Sequence, residues 1–268
     1  MFGWIKPEEY SFNSFLLLEE FQIRLALENR GWKKDKEAWS QQMGIALSAN
    51  PTVAWYFKNR APKIAHIVDE LIANAPAVKK EEVRDIEVAL LLAHEDFTIH
   101  TTPEKMAECC DYIRGWDKGR LFDLAAFEGK VVLDIGAGSG RLTFAAAERA
   151  SMVYAVEPVA TLREFMRQKI KDEGITNVRV TDGFVENLPY PDELFDIVMS
   201  GHVIGDDLDA ELNEKERVCK TGGIVLDVPG DSEFHIGSYR ELTSRGWEEF
   251  HYVGSYGKDV HIHRKVKK

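Results

Sequence analysis

After Gly129 the chain changes rhythm, and this change narrows the possible folds more than any other feature. Short apolar and β-branched runs alternate with amphipathic stretches in the order KVVLDI, RLTFAAAERA, MVYAVE, TLREFMRQKIKDEG, NVRVTD, LFDIVMS, LDAELNEKERVCK and GGIVLDV. Strand and helix alternating in this way require right-handed crossovers, which leave a parallel sheet covered by helices on both faces. The segments RGWEEFHYVG and KDVHIHRKV, separated by a short SYG connection, predict a closing antiparallel pair. Up to residue 100 the apolar spacing is helical throughout. FLLLEEFQIRLALENRG stops at Gly31, Asn50 and Pro51 open another helix, Pro62 a third, and EEVRDIEVALLLAHEDF forms a fourth. Two domains are therefore expected, an all-helical one over 1–100 and an α/β one over 101–268. TTPEKMAECCDYIRGW, with Thr101 and Glu104 at capping-box spacing, would be the joint.

Composition excludes several partners. A formal net charge of -11 sets up a field that repels polyanions, so DNA and anionic membranes are not expected to bind. The basic HRKVKK cluster at the C-terminal end is too short to reverse this and reads as a solvated tail. Three cysteines, two of them adjacent at Cys109 and Cys110, supply neither a disulfide framework nor a zinc spacing. FLLL at Phe15 to Leu18 is interrupted by Glu19 and Glu20, and no apolar stretch approaches the roughly 18 residues of a membrane span. A cytoplasmic protein is expected.

The stretch VVLDIGAGSGR, Val131 to Arg141, runs a buried strand into an acid and then into three glycines. Glycine is required where a turn takes positive φ or where a ligand must touch the backbone. In an open parallel sheet such a bend lies at the carboxyl edge, where ligands bind. A phosphate-binding GxxxxGK[ST] loop is excluded because no lysine follows Gly140. A dinucleotide GxGxxG pattern would need a third glycine where Arg141 stands. The pattern present is GxGxG, Gly136, Gly138 and Gly140, with Asp134 two residues before it. A carboxylate there repels a pyrophosphate and attracts an ammonium group.

These residues resemble the first motif of class I S-adenosylmethionine-dependent methyltransferases, and the resemblance runs from about residue 103 to 268. It implies a Rossmann-like, seven-stranded, mostly parallel sheet with an antiparallel last strand. It also implies that Asp134, Gly136, Ala137, Gly138 and Gly140 line the cofactor seat. In MVYAVEP, Glu157 and Pro158 match the position where the family's acid binds both ribose hydroxyls; an acceptor-only carboxylate suits paired donors. In VTDGF, Asp182, Gly183 and Phe184 match the adenine clamp, and after LFDIVM come Ser200, Gly201 and His202 at the pocket floor. TGGIVLDV resembles the family's fifth-strand entry.

The implied cofactor is S-adenosylmethionine, with S-adenosylhomocysteine as product. Its sulfonium methyl is already electrophilic, so the protein's task is alignment, with a base only where the acceptor must lose a proton. His202 is the candidate base or acceptor contact. SGHV stands where base-methylating and glutamine-methylating relatives carry an Asn/Asp-Pro-Pro-Tyr loop. ELNEKERVCKTGG resembles the helix and turn of small-molecule enzymes of quinone and sterol type, with Thr221 in place of their proline. A small-molecule acceptor follows as the expectation. Beside it stand a non-catalytic cofactor-binding protein, an RNA or protein methyltransferase, and a nicotinamide oxidoreductase, for which Glu157 alone would serve equally well.

Other features enter as expectations. HEDFTIH and the pair His261 and His263 lack a complete ligand set, so no metal is expected. Cys109 and Cys110 fall on an apolar helical face. Tyr112, Arg114 and Trp116 precede the first strand, where the family's cofactor has its methionine end. The N-terminal helices would wall the acceptor site, or dimerise through Trp32, Trp39, Trp55, Tyr56 and Phe57.

Overall fold

The computed structural model describes residues 4–28, 35–203, 207–230, 236–254, 257 and 259–268. Gly31 and Trp32 lie outside these residues, and so does the side chain of Tyr112. The chain divides into two compact units, Met1–Lys105 and Met106–Lys268.

In the first unit a 3-10 turn, Phe12–Leu17, precedes α1 (Glu20–Glu28), α2 (Lys36–Ala49), α3 (Pro51–Arg60), α4 (Ala65–Ala73), α5 (Lys80–Ala93) and α6 (Glu95–Thr98). The first helical stretch, read from the sequence as one, is broken at Leu18, whose backbone is extended. The Gln22 side chain accepts from Glu19 N at 2.9 Å and so starts a new helix. Asn50 holds the cap position before α3 but turns its side chain backwards. Its Nδ2 donates to Ala46 O at 2.9 Å and to Glu87 Oε1 at 2.6 Å, closing α2 and reaching α5.

The aromatic set proposed for dimerisation does not share one surface. Trp39 and Phe57 are core residues. Trp39 lies on the stripe with Met43, Ala46 and Leu47, at the i, i+4, i+7, i+8 spacing that faces a helix inward. Tyr56 is half-buried and donates to Leu18 O at 2.8 Å, whereas Trp55 is 63% exposed.

Next come the short helices α7 (Pro103–Cys109), α8 (Asp111–Arg114) and α9 (Gly119–Leu124). The α/β part then runs β1 (Val131–Ile135), α10 (Arg141–Ala147), β2 (Met152–Val156), α11 (Ala160–Asp172), β3 (Val178–Thr181), β4 (Phe195–Ser200), α12 (Leu208–Val218), β5 (Cys219–Asp227), α13 (Ile236–Ser244), β6 (Glu248–Val253) and β7 (Asp259–Val266). The sheet order is β3-β2-β1-β4-β5-β7-β6, with β3 through β5 pairing in parallel and β7 antiparallel to both its neighbours. The expected architecture is the observed one.

Both faces of the parallel strands are apolar, as a doubly covered sheet requires. On one face Val132, Val153, Ile197 and Leu226 pack with Leu142 and Ala146 of α10 and Leu121 of α9. On the other, Leu133, Val156, Val198 and Val225 pack with Leu212 and Val218 of α12 and Leu242 of α13. Each such valine, leucine or isoleucine contributes about 1.5–3 kcal/mol on burial. The direction of strand order reverses between β1 and β4, which places a ligand crevice beyond the carboxyl ends of these two strands.

The basic end is not a solvated tail. Its first residues belong to β7, inside the sheet between β5 and β6, and its charges are matched by acids on neighbouring elements: Lys265 meets Glu216 of α12 at 2.5 Å, Lys267 meets Glu193 at 3.3 Å and Arg264 meets Glu248 of β6 at 3.8 Å. Among the described residues Cys110 is buried, Cys109 half-buried, and all three cysteines are free. No helix among them is long and apolar enough to cross a membrane.

Candidate functional site

The bend between β1 and α10 winds through left-handed conformations at Gly136, Gly138 and Gly140, with φ of 63°, 58° and 91°. Any other residue type is strained there. At Gly140 a Cβ would in addition stand 2.3 Å from the Phe144 ring. The bend is anchored by Ala137 N, which donates to Val156 O at 3.0 Å, and it closes with Gly140 N on Ala137 O at 2.8 Å. It is thereby fastened to the end of β2, which carries the next functional residue.

Glu157, immediately after β2, is only 4% exposed. Gly138 N donates to its Oε2 and Val159 N to its Oε1, both at 2.8 Å. A carboxylate offers about four lone-pair sites, so two remain on the two oxygens, side by side, for a vicinal diol. Burial pushes its carboxyl up to about 7, against the pull of the two N-H groups and of Arg163. Pro158 makes the turn that brings Val159 N back to the carboxylate. Gly138 thus faces Glu157 directly, and the glycine bend and the ribose-matching acid form one hydrogen-bonded unit.

Asp134 is near this unit but committed elsewhere. Its Oδ2 accepts from Thr143 Oγ1 of α10 at 2.5 Å, and burial pushes its carboxyl up to about 7. Burial thus disfavours its charged form, so its attraction for an ammonium group is weaker than the sequence pattern implies. The same burial that fixes the acid beneath the bend also reduces its charge.

Beyond β3, Asp182 is 67% exposed in its side chain and accepts from Arg163 Nη1 at 3.0 Å. Gly183 lies against Val156 and Pro189, where a Cβ would come within 3.0 Å of each. Phe184 is 45% exposed and forms a bridge with Asn187. This loop is held from below by α12. Glu214 Oε1 accepts from Leu188 N at 2.8 Å, and Arg217 donates to Tyr190 O at 2.9 Å and to Asp192 Oδ1 at 2.7 Å.

At the end of β4, Ser200 pairs in register with Ile135 of β1 and with Asp227 of β5. Its hydroxyl accepts from the buried Lys215 Nζ at 2.9 Å and lies 3.4 Å from Asp227 Oδ1. Burial raises the Asp227 carboxyl to about 6 and lowers the Lys215 ammonium. A Cβ on Gly201 would meet Val228 O at 2.4 Å and Arg141 Nη2 at 2.7 Å. His202 is half-buried with φ of 61°, an uncommon conformation for a non-glycine residue and one that occurs at functional turns.

Of the residues singled out from sequence, the bend, Glu157, Asp182 to Phe184 and Ser200 to His202 all lie on the carboxyl ends of β1 to β4. Trp116 packs on the sheet core with the Arg141 guanidinium 4.6 Å above its ring. Arg114 is exposed and donates to Glu108 O at 3.4 Å. His261 and His263 are on β7, two strands removed from β4, and no group of described residues has a metal-holding arrangement. Arg141, Arg163, Lys215 and Asp227 were not anticipated. Only Asp227, an acid closing an apolar strand as Asp134 does, left a signal in the sequence.

The methyltransferase-domain family model matches residues 132–223, the part that contains the bend, Asp134, Glu157 and Asp182. Residues 132–223 are identified by this match as a methyltransferase domain. An uncharacterised methyltransferase of Geobacillus kaustophilus is 33% identical over 146 residues, covering 52% of this chain and 66% of that protein. A demethylmenaquinone methyltransferase of Geobacillus sp. (strain WCH70) is 30% identical over 132 residues, 47% of this chain and 56% of that protein. YafE of Escherichia coli, an uncharacterized protein, is 36% identical over 97 residues, 35% of this chain and 47% of that protein. The chain thus spans about half the length of these last two relatives. A crystal structure of an S-adenosylmethionine-dependent methyltransferase from Aquifex aeolicus superposes with a TM-score of 0.50 at 19% identity, over 60% of this chain and 96% of that one. One from Methanococcus maripaludis, a putative S-adenosylmethionine-dependent methyltransferase by its description, gives 0.51 at 16%, over 63% and 92%. At these identities the two structures bear on the fold alone.

Proposed function

We propose that the methyltransferase domain binds S-adenosylmethionine at the glycine bend and transfers its methyl group to a small-molecule acceptor, in the cytoplasm and without DNA as a partner. The observation that carries the reading is the buried Glu157 carboxylate, locked by Gly138 N and Val159 N with one acceptor site left on each oxygen. That pair of acceptor sites fits a ribose diol, and the bend has no lysine or helix-capping hydroxyl of the kind a triphosphate loop needs.

Each residue then has a role. Glu157 takes the two ribose hydroxyls, and Gly136, Ala137, Gly138 and Gly140 let the ligand approach the backbone. Asp182, Gly183 and Phe184 hold the adenine, and Asp134 and Pro158 set the bend and the turn beneath it. Ser200 and Gly201 form the floor on which the acceptor meets the methyl, with His202 as base or acceptor contact. The bound cofactor supplies an electrophilic methyl on a sulfonium, so the protein's contribution is alignment and removal of water from the reacting atoms. Among the relatives are a demethylmenaquinone methyltransferase and a ubiquinone/menaquinone C-methyltransferase, which favours an electron-rich ring of quinol type as acceptor.

Calorimetry with S-adenosylmethionine, S-adenosylhomocysteine and NADH tests the reading. Both sulfur compounds should bind and NADH should not, and turnover should appear within a panel of reduced quinones and phenols. NADH binding in the absence of sulfur-nucleoside binding would overturn it.

A further inference from the structure

We infer that Arg163 is a positioning residue that orients Asp182 toward the base of the bound nucleoside and so sets the preference of this site for an exocyclic amine. The inference rests on the proposed reading of the bend as a nucleoside site.

Arg163 is in the first turns of α11, and its Nη1 donates to two oxygens, Glu157 O at 2.8 Å and Asp182 Oδ1 at 3.0 Å. Its backbone N donates to Val159 O at 3.1 Å, and Val159 N in turn donates to Glu157 Oε1 at 2.8 Å. The ribose-matching acid and the base-matching acid are thereby joined through one side chain and one turn of backbone. The guanidinium side chain is 13% exposed and the carboxylate it holds is 67% exposed, so a fixed cation underlies an acid that points outward.

The division of exposure sets the role. An exposed aspartate on a loop samples several rotamers, and water competes for both its oxygens, so by itself it distinguishes poorly between bases. With Oδ1 committed to Arg163, Oδ2 remains as the acceptor in one orientation, and the ordering is done before the ligand arrives. Arg167, one helical turn further along, donates to Val180 O at 3.3 Å. It ties the same helix to the same strand without touching Asp182, and therefore serves as a control for a purely structural function.

Dissociation constants measured calorimetrically for S-adenosylhomocysteine, and for its analogue with hydrogen in place of the exocyclic amine, test this on the full chain. Wild type should favour the amine by about tenfold, the range of one hydrogen bond to a charged group. Arg163→Gln should narrow the ratio by about fivefold, the upper range for an exposed charged pair, and Asp182→Ala, which removes the acceptor, should abolish the preference. Arg167→Gln should leave it unchanged, and the double variant R163Q/D182A should behave as Asp182→Ala alone. A wild-type ratio retained in Arg163→Gln, or equal narrowing by Arg163→Gln and Arg167→Gln, would overturn the inference. Equal binding of both compounds by wild type would overturn it too, leaving the nucleoside site intact, whereas binding of neither would remove the proposed function with it.

Discussion

Replacing Glu157 with glutamine should separate folding from binding, because the native carboxylate is expensive to bury in its charged form. Burial raises this carboxyl from an ordinary value of 4.5 to about 7. In the folded chain the group therefore keeps its proton while the unfolded chain has released it, and its contribution to stability is present below pH 4.5 and lost as pH rises through 7. Between pH 5 and pH 8 the wild type should lose about 2–3 kcal/mol from this one group, at 1.36 kcal/mol for each unit over which the two states differ in protonation. Glutamine does not titrate, so E157Q should show no such loss. It does leave either Gly138 N or Val159 N facing an amide NH2, which costs about 1–3 kcal/mol at both pH values. The variant should accordingly be clearly less stable than wild type at pH 5 and close to it at pH 8. Affinity for S-adenosylhomocysteine at pH 8 should nevertheless fall by roughly 10- to 100-fold, since a glutamine oxygen cannot serve both ribose donors and the backbone. Urea unfolding of both proteins at the two pH values, followed by calorimetry, measures each half. A stability difference between the proteins that does not change with pH would refute the reasoning about the buried charge.

Affinity of wild type for S-adenosylhomocysteine should rise with pH and level off above about 7, because the ribose hydroxyls donate to the ionised form of Glu157; an affinity independent of pH from 5.5 to 8 would contradict this. Thr143→Val removes the hydroxyl that donates to Asp134 and should destabilise the fold by about 1–3 kcal/mol, more at pH 8 than at pH 5, as read by urea midpoints. Gly140→Ala combines a left-handed φ of 91° with a Cβ 2.3 Å from the Phe144 ring, so thermal unfolding should show a loss of at least about 1–3 kcal/mol. Lys215→Met removes the cation facing Ser200 and Asp227, and should cost about 3–5 kcal/mol at pH 8 but distinctly less at pH 5, where Asp227 is protonated.

Local pattern carried the sheet, the bend and the acids on its carboxyl edge, because each follows from short-range rules. An apolar five-residue strand such as Val131–Ile135 must be buried, and a turn of three left-handed residues must be glycine-rich. An acid closing β2 lies on the same edge as the bend that follows β1. The side chains that organise these groups were not legible. Arg163 and Lys215 look in the sequence like ordinary members of charged amphipathic helices, and only the crossover geometry brings them under Asp182 and Ser200. The charge on Asp134 is less than its motif position implies, since burial, a tertiary effect, raises its carboxyl. The apolar spacing alone puts Leu18 in mid-helix, and the charge run alone makes the last basic residues a tail. In the first case a Gln22 side chain supplies a new cap, and in the second the residues are held in the sheet by β5 and by acids on neighbouring elements.

A crystal structure of the chain with S-adenosylhomocysteine tests the central claim most directly. Both ribose hydroxyls should lie within hydrogen-bond distance of Glu157, the purine beside Asp182 and Phe184, and the homocysteine sulfur should be directed toward Ser200 and His202. Density for the nucleoside anywhere other than the edge between Gly136 and Glu157 would contradict it.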